Sequence, residues 1–122
     1  THVKWMYHKS MPKSPSPNFV NGNILTLEDA GRLQSLNAET GEKRWMESLK
    51  GMFSASPVLV GDDLLYVVSE EGLFYVLRVS DEGCEIISQI EMEEETLATP
   101  AIVDDLIYLR TRHHLWKIGN AE

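Results

Sequence analysis

Ser54-Ala55-Ser56-Pro57-Val58-Leu59-Val60 repeats an earlier stretch, Ser14-Pro15-Ser16-Pro17, at an offset of 40 residues. The same offset carries Lys4-Trp5-Met6 onto Arg44-Trp45-Met46. An offset of 41 carries Gly31-Arg32-Leu33 onto Gly72-Leu73-Phe74, and Leu36 onto Leu77. A third, fainter copy follows. Thr99-Pro100-Ala101-Ile102-Val103 echoes Ser56 to Val60 at an offset of 43. Leu106-Ile107-Tyr108-Leu109 then echoes Leu64-Leu65-Tyr66-Val67, and His114 to Ile118 echoes Leu73 to Leu77. Matches at nearly constant spacing mean an internal repeat of about 40 residues, and such periods belong to stacked architectures.

Each repeat reads as four short strands. The first follows the Ser/Thr-Pro pair and is apolar: Phe19-Val20, Val58–Val60 and Ala101–Val103. A tight turn comes next, as Asn21-Gly22, Gly61-Asp62-Asp63 or Asp104-Asp105. Asn-Gly is a strong hairpin signal because both positions tolerate positive φ. The second strand is Ile24–Leu27, Leu65–Val68 or Ile107–Leu109. A polar turn ending in Gly31 or Gly72 leads to a third strand, where Leu33 and Ser35 alternate with Gln34 and Leu36. The fourth strand carries Trp45 in one repeat and Ile86-Ile87 in the next. No segment sustains a helical period, so the protein is all-β. A four-stranded repeat of this length is a β-propeller blade.

The strand count gives one orphan outer strand at 1–8, a blade over 14–50, a blade over 54–93 and a partial blade over 97–118. That is about three blades' worth of antiparallel strands. The orphan, Val3–Tyr7, is of the type missing at the end, and many propellers close their ring with such a strand. Three blades fall below the four to eight of a normal ring. The expectation is therefore either the end portion of a longer propeller, whose remaining blades lie in a parent chain, or a subunit that closes a ring with a second copy. Trp5 and Tyr7 are the residues expected to exchange in such a homodimer.

Ser35-Leu36-Asn37-Ala38-Glu39-Thr40-Gly41-Glu42-Lys43-Arg44-Trp45 resembles the tryptophan-docking motif of pyrroloquinoline-quinone-type (PQQ-like) propeller repeats. The family pattern runs Ala-x-Asp-x-x-Thr-Gly-x-x-x-Trp. Thr40, Gly41 and Trp45 match it, while Ser35 stands for Ala and Asn37 for Asp. Ser56-Pro57-Val58 and Gly72-x-Phe74-Tyr75-x-Leu77 also fit. The resemblance implies that Thr-Gly turns the chain into the fourth strand and that Trp45 covers the joint with the next blade. It suggests a periplasmic or extracellular setting. The second repeat has Asp81-Glu82-Gly83-Cys84 and no Trp, so Ile86, Ile87 and Ile90 are expected to seal its joint.

The chain has 122 residues, 43% hydrophobic and 25% charged, enough for one domain with a core. Its formal charge of −8, from 19 acids and 11 bases, argues against a nucleic-acid partner and against an anionic membrane surface. No apolar run approaches the span of a bilayer. The lone Cys84 cannot form an internal disulfide and reports no redox compartment.

The search for chemistry yields no catalytic, cofactor-binding or metal residues. His2 and His8 are isolated, and His113-His114 are adjacent in a turn. Metal sites need three or four convergent ligands. Glu91, Glu93, Glu94 and Glu95 read as a solvated loop between blades, and Arg110 and Arg112 as partners of nearby carboxylates. Cys84 reads as an inert thiol, and the methionines as packing. Quinone dehydrogenases of the family use vicinal cysteines and calcium in a complete ring, so their cofactor residues map onto no position here. Two functions stand. One is a non-catalytic scaffold binding an unidentified protein partner, in the manner of the outer-membrane assembly lipoproteins that have similar repeats. The other is part of a PQQ-dependent oxidoreductase.

Overall fold

The computed structural model describes residues 5–6, 16–96, 99–103 and 106–118. The strand expected over Val3–Tyr7 lies outside them except for Trp5 and Met6, which are not in a strand, and Tyr7, His2 and His8 lie outside altogether. Eleven strands, β1–β11, form three antiparallel sheets among the described residues. The first is β1 (Asn18–Val20), β2 (Asn23–Leu27), β3 (Arg32–Asn37) and β4 (Lys43–Ser48). The second is β5 (Val58–Val60), β6 (Leu64–Val68), β7 (Leu73–Val79) and β8 (Cys84–Glu91). The third holds β9 (Ala101–Val103), β10 (Leu106–Arg110) and β11 (Leu115–Ile118). Strands are in chain order within each sheet, as consecutive hairpins require. No helix among the described residues is long and apolar enough to cross a membrane.

The repeat seen in sequence is repeated in register. Leu33 pairs with Glu47 and Ser35 with Trp45; one repeat on, Phe74 pairs with Ile90 and Val76 with Ser88. Both third-to-fourth ladders shift register at the same place, between Ser35 and Leu36 and between Val76 and Leu77. A bulge bends and twists its strand, so the outer strands leave the sheet alike. The β1–β2 turn uses Asn21 and Gly22 at φ of 47° and 78°, the conformation a two-residue hairpin demands.

The second sheet buries both faces because a sheet lies on either side of it. Leu25, Leu27, Leu33 and Trp45 from the first sheet meet Leu65, Val67, Tyr75 and Leu77 from the second. Val68 and Phe74, on the opposite face of the second sheet, meet Ile107 and Leu109 from the third, with Met92 filling between. This second joint corrects the sequence expectation. Ile86, Ile87 and Ile90 do not seal it; they are 39–50% exposed. The register shows that Ser88, not an isoleucine, stands where the first repeat has Trp45. Among the described residues the third sheet has three strands.

Successive sheets also trade backbone bonds along one end. The Phe53 amide donates to Asp29, the Glu70 amide to Met52, the Thr96 amide to Glu70 and the Arg112 amide to Glu95, at 2.7–2.9 Å. The linkers after β4 and β8 thus stitch each β2–β3-type turn to the next. The stitching needs glycine. Gly72, at φ 95°, lies so close to the linker that a Cβ would sit 2.1 Å from the Glu94 carbonyl oxygen. Gly31 stands in the same relation to Leu49, at 2.2 Å. Gly61, at φ 67°, has open space instead, with nothing within 4 Å of where a Cβ would stand. In urea unfolding, Gly61→Ala should lose about 1–2 kcal/mol, the strain of a left-handed alanine alone. Gly72→Ala should lose about 3 kcal/mol or more, because a backbone must also move. Equal losses would mean that the linker is not held against the turn.

Candidate functional site

The residues singled out in the docking motif come together in one turn and at one joint. Asn37 Oδ1 accepts the amides of Glu39 and Thr40 at 2.8 and 3.1 Å, an Asx turn that an aspartate would build equally well. The Gly41 amide donates to the Asn37 carbonyl at 2.7 Å, and Thr40 Oγ1 accepts the Glu42 amide at 3.3 Å. Gly41, at φ 78°, has the Trp5 ring against it: a Cβ would lie 2.6 Å from two ring carbons. The Trp5 indole N–H donates to the Ala38 carbonyl at 2.9 Å. One repeat on, the Trp45 indole N–H donates to the Ser80 carbonyl at 2.7 Å, and the ring is 9% exposed. Each indole therefore reaches from its own segment to the third-to-fourth strand turn of the sheet that follows.

A second relay joins the starts of the sheets. The Ser16 amide donates to Ser56 Oγ at 2.9 Å, and the Ser56 amide donates to Thr99 Oγ1 at 3.1 Å. In the sequence the Ser/Thr-Pro pairs stand out only as repeat markers. The hydroxyl is the working group, since it accepts the amide one repeat earlier. The constancy of a hydroxyl residue before proline was the signal that could have found it.

The linker between the second and third sheets corrects two further expectations. Its glutamates are not simply a solvated loop. Glu94 Oε1 accepts from the Thr111 hydroxyl and from the His113 amide at 3.2 Å, and Oε2 lies 2.5 Å from His114 Nδ1. Thr111 Oγ1 also accepts the Trp116 indole N–H at 2.8 Å. His113-His114 is thus part of a clasp between linker and hairpin. Glu93, a non-glycine residue at φ 62°, turns the linker into it. Arg112 pairs with Glu95 at 3.8 Å, whereas no carboxylate among the described residues pairs with Arg110.

Two clefts open at the joints. One of about 800 Å³ lies between the second and third sheets, lined by Glu70, Glu71, Thr96, Arg110 and Arg112. Another of about 570 Å³ lies between the first and second, lined among others by Asn23, Ser35, Arg78 and Asp81. No group of three His, Cys, Asp or Glu among the described residues converges as metal ligands. Cys84 opens β8 and packs against the first joint, where burial and then Glu47 push its thiol up to about 11. A single protonated thiol on an outer strand does not fit the vicinal-cysteine quinone site of the dehydrogenases.

A family model described as outer membrane protein assembly factor BamB matches residues 4–110. The chain belongs to that family. Among solved structures, BamB from Moraxella catarrhalis is similar at a TM-score of 0.75 and 16% identity, covering 94% of this chain and 36% of that one. A europium-containing methanol dehydrogenase is similar at a TM-score of 0.57 and 17% identity, covering 72% of this chain and 19% of that one. This chain thus spans about a third of the BamB structure's length. At these identities the structures establish the fold, a PQQ-like β-propeller. None of the curated proteins matches in sequence.

Two outcomes test the joints. Trp45→Ala should cost about 3–5 kcal/mol in urea unfolding, as truncation of a buried large aromatic does; a loss below about 1 kcal/mol would remove the indole from the joint's energetics. The clasp should show in the acid limb. Thr111 chiefly, then the His113 amide and His114, hold the Glu94 carboxyl below its ordinary 4.5, against the opposing effect of burial. A depressed carboxyl stabilises the folded joint above the ordinary value and loses that contribution as pH falls through the folded one. Glu94→Gln should therefore flatten the fall in thermal stability below about pH 4.5 relative to the parent. An unchanged acid limb would show that the clasp carries no linkage.

Proposed function

We propose that this chain is part of a non-catalytic BamB-type propeller that serves as a rigid protein-binding scaffold. The observation that carries the reading is the family match over residues 4–110, supported by a BamB structure that superposes along 94% of the chain. The family's description, an outer membrane protein assembly factor, supports a setting at the outer membrane and its periplasmic side. The motif residues Ser35, Asn37, Thr40, Gly41 and Trp45 have a blade-docking role in this reading, which the Trp45–Ser80 bond supports. The rigidity comes from three sets of bonds between neighbouring blades: the hydroxyl relay, the indoles and the stitched linkers.

The blades that complete the ring come from the rest of a longer chain or from a second copy. The position of Trp5 on the first sheet supports an outer-strand role for its segment in either case. In a two-fold assembly each copy gives that segment to the partner's last blade, and six blades make a normal ring. Light scattering on the 122-residue chain separates the two sources. A dimer that aggregates when residues 1–8 are deleted supports the second copy; a stable monomer removes it. The methanol dehydrogenase likeness favours a second reading, a portion of a PQQ-dependent oxidoreductase.

The scaffold reading predicts no change in quinone absorbance or thermal stability on titration with PQQ and calcium. It also predicts adducts with outer-membrane assembly proteins when photo-crosslinking residues replace Glu70 or Arg112 in a bacterium that has that machinery. Stoichiometric quinone binding would replace it with the oxidoreductase reading, and an absence of protein adducts would remove the binding role.

A further inference from the structure

We propose that the cleft between the first and second sheets receives a lysine or arginine side chain from a partner polypeptide; this rests on the protein-binding reading and names the chemistry of one contact. The cleft encloses about 570 Å³ and opens where the β1–β2 turn faces the β7–β8 turn. Its wall is apolar, formed by Val20, Leu25 and Val79. Its depth is polar. Ser35 is fully buried, yet its Oγ has no hydrogen-bond partner. A buried hydroxyl without a partner is destabilising, and the deficit disappears when an occupant pairs with it. The PQQ-like pattern has alanine at this position, so the hydroxyl is not demanded by the turn.

The charges around the cleft are unequally matched. Arg78 is held by Asp63 at 3.2 Å. Asn23, 3% exposed, donates from Nδ2 to Asp81 Oδ1 at 2.6 Å and accepts from Arg44 Nε at 2.5 Å. The buried amide thus fixes the Asp81 carboxylate while holding the nearby guanidinium on itself. Neither Asp81 nor Glu82 forms an ion pair among the described residues. An apolar wall beside two carboxylates without ion pairs and a buried hydroxyl without a partner complements one kind of side chain: an aliphatic stem ending in a cation. An anionic or purely apolar group would leave the carboxylates desolvated and unpaired. The chain's charge of −8 draws a basic segment toward it.

Amide NMR on the isotopically labelled 122-residue chain tests this with blocked tripeptides, Ala-Arg-Ala and Ala-Lys-Ala, against the neutral isostere Ala-citrulline-Ala. The basic peptides should give saturable shifts at Asn21, Asn23, Ser35 and Ser80 to Glu82. Asp81→Asn should weaken them about tenfold, the effect of losing one charge-assisted bond. Ser35→Ala, which fits the family pattern and so keeps the fold, should weaken them a few-fold. Shifts that do not saturate, that lie elsewhere, or that are equal with citrulline would overturn the proposal. So would free lysine or arginine binding as tightly as the peptides, since the site would then serve a small molecule. Protein adducts at Glu70 or Arg112 despite silent peptides would discard the cleft and leave the scaffold; loss of both would discard the two together.

Discussion

The amide of Ser56 bonds to the hydroxyl of Thr99, and one repeat earlier the amide of Ser16 bonds to the hydroxyl of Ser56. That relay fixes how far apart successive sheets begin. With the starts fixed, the facing side chains either fill the gap or leave it open. Leu33 and Trp45 fill the first gap against Tyr75 and Leu77; Phe74 fills the second against Leu109. The indole bond to Ser80 and the stitched turns then fix the other margins. The second sheet, packed on both faces, depends on its neighbours as units of other stacked repeats do.

The same dependence explains where sequence and structure agree. A repeat at 40–43 residues leaves little freedom once strand period and turn chemistry are read, so Asn21-Gly22, the Ser/Thr-Pro starts and the alternation of β3 all pointed to blades. The Thr40-Gly41 turn was legible because its bonds are local, within a few residues of Asn37. What lies between sheets was not. Ile86, Ile87 and Ile90 are apolar and stand near a missing tryptophan, which suggested a seal. Register decides otherwise: Lys43 pairs with Leu36 from seven residues on, Ile86 with Leu77 from nine residues on, so the longer second turn places Ser88 in the tryptophan's position. A two-residue difference in turn length, which resets the outer strand, cannot be seen in composition.

The Glu94 clasp was hidden for a related reason. Four glutamates in five residues look like a charged loop. The positive φ of Glu93 turns one of them inward, onto Thr111 and the paired histidines about twenty positions away. The cleft beneath Asp81 was hidden too. Ser35 entered as a mild variant of a family alanine, and only packing shows that its hydroxyl lines the cleft without a partner among the described residues.

Cys84 has a meaning for redox chemistry. Thiols exchange with disulfides and react with peroxides as thiolates. With the thiol pushed up to about 11 by burial and Glu47, it is held in its protonated form near neutral pH. An accessible, ionised cysteine in an oxidising compartment is open to mixed disulfides. Here the joint that Trp45 closes also keeps the sulfur in its unreactive form. Burial in the joint thereby withholds the sulfur from thiol–disulfide exchange.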